Sequence, residues 1–147
     1  MVMLELSNFL HFVGLSLGVG GATIATIISM KADRDTELAQ AIMKIMPSIT
    51  KTIWVGLILL IISGIGVTIY IQWPLDYQML IVKHVLVVWI LIIGIILGVH
   101  SKKMKLLMPR PKEKPSSRFL KIKKRMKAFS IINLILWYLV TLISVFV

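Results

Sequence analysis

Residues 82–100 read VKHVLVVWILIIGIILGVH, an apolar stretch with Lys83 and His84 near one end and His100 at the other. At a helical rise of about 1.5 Å per residue it crosses most of a bilayer core of roughly 30 Å. In lipid such a run has to be helical, because every backbone amide must find its partner within the segment. Working outward, four runs of this kind can be marked, at about 8–30, 52–73, 79–100 and 128–147. A hydrophobic content of 58% and a mean hydropathy of +0.92 agree with them. The expectation is an all-α fold: one 147-residue transmembrane domain, a four-helix bundle, multi-pass in the cell membrane.

The net charge of +11 is concentrated in two connections. Twelve of the 17 Lys and Arg residues lie between Lys102 and Lys127, and Lys31, Arg34, Lys44 and Lys51 occupy the first connection. The turn Pro74–Gln78 carries only Asp76, and the N-terminus only Glu5. The positive-inside rule therefore makes both basic connections cytoplasmic and leaves both termini outside. The basic loop 101–127 reads as a topology determinant with affinity for anionic lipid. No nucleic-acid partner is expected, since no aromatic interleaving or recognition motif accompanies the charge. The first run lacks a basic leader and an A-x-A-like site, so a cleaved signal peptide is not expected. With no cysteine there are no disulfides or thiolate ligands.

Span 1 is rich in small residues. Gly14, Gly18, Ala22 and Ala25 follow His11 at offsets that keep all five on one helical face. That face suits close helix packing of the small-xxx-small kind, and equally a flat macrocycle lying on bare backbone beside a ligand. In the first connection, Asp35 reads as the N-cap of a short helix ending at Met46, with Pro47 as its stop or the start of the next. Leu38, Ile42, Ile45 and Met46 make an apolar stripe on it. Trp54 and Trp73 are placed as interfacial anchors of span 2. The turn to span 3 is short enough to make spans 2 and 3 antiparallel neighbours. Asn133, Trp137, Thr141 and Ser144 form a sparse polar stripe on span 4, expected to face the bundle interior. Three prolines, Pro109, Pro111 and Pro115, point to partial disorder in the second connection.

Ionisable groups within membrane spans are expensive and mark candidate sites. The topology puts His11, Lys83 and His84 in one outer layer. His100 lies 16 residues beyond His84, or roughly 24 Å, and cannot share a metal with His11. Lys83 and His84 are about 100° apart around their helix, so they cannot both face inward. One can act as a ligand while the other snorkels to the interface. Imidazoles in a bundle can ligate haem iron, with His11 and His84 as the metal candidates. They also suit copper, for which His100, Met104 and Met108 offer a soft-ligand spacing. A cofactor-free transporter, channel subunit or assembly factor is the other class that the pattern leaves open, and a homo-oligomer is compatible with it.

The segment FLHFVGLSLGVGGATIA (9–25) resembles the first-span signature of the CopD/HemJ-like group of four-span membrane proteins, a histidine followed by small residues and a Gly-Gly pair. Residues 81–100 resemble that group's third-span pattern, a lysine and, some 17 residues later, a terminal histidine. The group includes b-haem protoporphyrinogen oxidases and proteins linked to copper handling. The resemblance implies cofactor-binding positions at His11, Lys83 and His100, with His84 an additional candidate. It implies haem b with a quinone or porphyrin as partner, in electron transfer or oxidation of a lipophilic donor such as a quinol or porphyrinogen. Where the oxidases carry an aromatic, arginine-rich stretch with another histidine, this chain has IISMKADRDTELAQ, more like the uncharacterised relatives.

Overall fold

The computed structural model describes residues 2–31, 36–70, 77–107, 109 and 114–146, the side chains of 36–38, 40, 67–70, 77 and 146 excepted. These residues form four helices: α1 (Val2–Lys31), α2 (Thr36–Tyr70), α3 (Tyr77–Leu106) and α4 (Ser117–Phe146). All four are long and apolar enough to cross a membrane, which makes the protein an all-α, multi-pass membrane bundle. The expected N-cap Asp35, the anchor Trp73 and the ligand candidate Met108 lie outside the described residues.

The helices outrun the hydrophobic spans, because backbone hydrogen bonding continues where hydropathy stops. α2 passes through Pro47 without a break, so the separate short helix expected before it is in fact the first part of α2. Proline removes one donor from the ladder, and the remaining ladder carries the helix past it. On this first part Ile42 and Met46 are half-buried and Ile45 is exposed. α3 continues beyond His100 with Lys103 and Lys105 in its last turn, where cations complement the helix dipole. The Leu107 amide closes that turn on the carbonyls of Lys103 and Met104 at 3.2 Å each. α4 opens eleven residues before the hydrophobic span begins. Ser116 caps it, its Oγ accepting from the Phe119 amide at 3.2 Å.

Without a hydrophobic force between helices in lipid, packing and interhelical hydrogen bonds have to hold the bundle. α1 and α2 provide the closest packing. Along an antiparallel register Ser7 faces Gly66, His11 faces Ser63, Gly14 and Gly18 face Gly56, and Gly21 faces Ile53. A Cβ on Gly14 would stand 2.8 Å from the Gly56 carbonyl oxygen, and one on Gly56 only 2.7 Å from the Gly18 amide nitrogen. Only glycine allows this approach. α4 packs on the other side of α1, with the fully buried Trp137 indole occupying the space a Gly18 side chain would need. Thr26 and Ser130 share a 3.0 Å hydrogen bond across this seam, and Thr23 meets Tyr138 at 3.2 Å.

α3 packs on α4, so the tight seams run in the order α2, α1, α4, α3. The expected α2–α3 pair is looser. Trp54 of α2 lies over Gly94, 3.6 Å from where a Cβ would stand, while among the described residues the two backbones keep apart. The core draws on every helix, with Ala22, Leu57, Leu60, Ile90, Trp137 and Val140 in one cluster. Outside it, large apolar side chains such as Phe9, Phe12, Val88 and Trp89 are exposed, the surface a bilayer would solvate.

A candidate outer-layer site and a basic end

His11 sits on α1 one turn beyond Gly14, at the rim of the close α1–α2 contact. Its Nδ1 lies 3.0 Å from Ser63 Oγ. The Ser63 hydroxyl has one proton and directs it to the Leu60 carbonyl, 3.2 Å away. In the tautomer that keeps this bond, Ser63 accepts from His11 Nδ1–H and Nε2 has the lone pair. A ring held through Nδ1 with Nε2 unprotonated is the arrangement of an imidazole metal ligand. Ser63 is itself almost wholly buried, so the orientation is fixed from within the bundle.

From α3, Lys83 is half-buried and lies within Coulombic reach of the His11 ring. His84 is turned to the exposed surface and donates its Nδ1–H to the Leu80 carbonyl at 2.8 Å. Of the two adjacent α3 candidates, Lys83 is thus the inward one. His100 lies at the opposite, basic end, donating Nδ1–H to the Ile96 carbonyl at 2.9 Å and resting against Phe129, ring centroids 6.1 Å apart. The structure therefore joins His11 to Ser63, places Lys83 inward in the same layer, and leaves His84 and His100 apart from them. Among the described residues, no three His, Cys, Asp or Glu side chains converge on a point that could hold a metal ion.

A haem in this layer needs a ligand nitrogen and a flat space beside it. His11 Nε2 fits the first need. The glycine face below it does not fit the second, because the Gly56 backbone and Leu60 fill it at Gly14, and Trp137 fills it at Gly18. The small residues of α1 serve helix packing rather than a macrocycle cradle.

Ser63 was not legible as a site residue, since it reads as one of several small residues on an apolar span. The only available signal was its position in the antiparallel register opposite His11. The polar stripe of α4 does turn inward, with Asn133 and Trp137 buried and Thr141 and Ser144 half-buried. Its two hydroxyls bond their own helix, Thr141 to the Trp137 carbonyl and Ser144 to the Val140 carbonyl, at 2.8 Å each. Among the described residues, Asn133 Oδ1 and Trp137 Nε1 are buried without a hydrogen-bond partner. Comparisons with family models, curated proteins and solved structures give no match to this chain.

Proposed function

We propose that the protein is a cell-membrane b-type haem protein acting in electron transfer or in the oxidation of a lipophilic donor, a quinol or a porphyrinogen. One observation carries the reading. His11 Nδ1 is bonded to a buried serine, an arrangement that lets Nε2 present its lone pair, in the same layer as the half-buried Lys83. The resemblance of residues 9–25 and 81–100 to the CopD/HemJ-like group points the same way. When bound, the haem supplies the one-electron chemistry. His11 would be the ligand to its iron, and the bond to Ser63 would hold the plane of that ring. Lys83 would offer either a second ligand or a positive charge for an acidic group of the donor or cofactor. The surrounding apolar side chains exclude water and keep the layer at low dielectric.

A second reading is favoured by the filled glycine face. In it the bundle carries no cofactor, and the His11–Ser63 bond is one more interhelical tie of a transporter, channel subunit or assembly factor. Absorption spectra of protein produced with haem available separate the two. A Soret band and a reduced-minus-oxidised α band are expected, abolished or shifted by His11→Ala and retained by His100→Ala. A colourless preparation refutes the haem reading, and metal analysis of it then tests for copper. Wild-type spectra in His11→Ala refute the ligand assignment.

A further inference from the structure

At the basic end, α3 and α4 meet at His100 and Phe129 and leave, beyond that contact, an open cleft of about 460 Å³. Helical phase concentrates charge there. Lys103 comes from α3, and Arg118, Lys121 and Arg125, at i, i+3 and i+7, form one face of α4. His100 completes the polar wall, and Leu106, Leu107 and Ile122 supply an apolar one. No carboxylate among the described residues lines it. Four cations sharing one recess, with no carboxylate among the described residues beside them, repel one another, and an anion among them removes that repulsion.

We infer that this cavity is a binding site for a phosphate group carried on an apolar body, with an anionic phospholipid headgroup as its ligand. Three features select that class. Arginine and lysine together suit phosphate oxygens. The volume exceeds what a bare phosphate fills and lies in the range of organic ligand sites. The recess also opens where the apolar part of α3 ends, at the depth of the headgroups, so an acyl chain can continue along Leu107 and Ile122. The site lies at the opposite end of the bundle from His11 and does not depend on the haem reading.

The test is native mass spectrometry of the full-length protein in detergent, titrated with dioleoyl phosphatidylglycerol or dioleoyl phosphatidylcholine. Two triple variants lose equal charge: Arg118→Gln/Lys121→Gln/Arg125→Gln within the cavity, and Lys102→Gln/Lys105→Gln/Lys124→Gln outside it. Circular dichroism and size-exclusion profiles establish that both are folded. The expected result is phosphatidylglycerol binding preferred over phosphatidylcholine, weakened about tenfold or more by the first triple and less than about threefold by the second. Competition by millimolar inorganic phosphate distinguishes the sources. Retention of the lipid in its presence identifies the headgroup, and displacement identifies a soluble phosphate ester at the same site. Equal losses from the two triples, or no preference for the anionic lipid, overturn the proposal. If the cavity triple does not fold, the single variants Lys121→Gln and Lys124→Gln carry the same comparison, with loss expected only for Lys121.

Discussion

Gly56→Ala is the sharpest perturbation of the bundle. The new methyl carbon would stand 2.7 Å from the Gly18 nitrogen and 2.8 Å from the Gly14 carbonyl oxygen. Both neighbours are backbone, so neither can swing aside, and α1 and α2 must separate by about 0.8 Å to reach an ordinary contact. A gap of that size forfeits a quarter to a half of each atom pair's attraction of about 0.1–0.2 kcal/mol. Over about 30 pairs along the seam the loss is roughly 1–2 kcal/mol, within the range of measured overpacking. Alanine recovers about 1 kcal/mol of helix propensity, so the net loss is at most about 1 kcal/mol. Gly20→Ala and Gly98→Ala meet nothing within 4 Å and should show only the propensity gain. The two classes of variant thus differ by the packing loss, roughly 1–2 kcal/mol. The separation also stretches the 3.0 Å His11–Ser63 bond beyond hydrogen-bond range. The assay is unfolding in mixed micelles of dodecyl maltoside and sodium dodecyl sulfate, followed by circular dichroism. If Gly56→Ala unfolds at the same detergent fraction as Gly20→Ala, the close α1–α2 approach is refuted.

The same titration checks three further expectations. Ser63→Ala leaves the His11 Nδ1–H without its acceptor and should cost about 1–3 kcal/mol; in a haem-loaded preparation it should also shift the Soret band. Trp137→Ala opens a cavity against Gly18 and should cost about 3–5 kcal/mol, whereas Trp137→Phe keeps most of the ring, removes the unpaired Nε1–H and should cost about 1 kcal/mol or less. Asn133→Leu removes a buried acceptor without a partner and should raise stability by about 1 kcal/mol; a loss instead would mean that Oδ1 is satisfied in the membrane.

The four helices and their alternating directions were legible because lipid demands about 20 apolar residues per crossing and leaves the charge outside. Helix length was not, because hydropathy reports bilayer thickness and is silent on a helix that continues into water, as α3 does past His100 and α4 does from Ser117. The geometric conflict between Lys83 and His84 was readable from the 100° step, but which one faces inward depended on the rotation of α3 against α4. The face of His11 was readable too, while its use was not. Gly14 and Gly18 offer the same bare backbone to a cofactor or a neighbour, and Gly56 and Trp137, distant in sequence, decide between them. The basic cavity escaped notice for a related reason. As a count, its lysines and arginines are a topology signal, and only the phase of two helices gathers four of them around one space.

Gly18 touches two partners at once, the backbone of Gly56 on one side and the Trp137 indole on the other. During synthesis the first partner emerges 38 residues after Gly18 and the second 119 residues after it, from 56 − 18 and 137 − 18. The α1–α2 hairpin can therefore close early, but it leaves the ribosome with an unfilled notch on its far side. Lipid chains must occupy that notch through the insertion of α3 and be displaced when the fourth span delivers its indole. Docking of the last helix is then the step that commits the chain to its final arrangement, and truncations before residue 137 should leave a hairpin open to foreign helices.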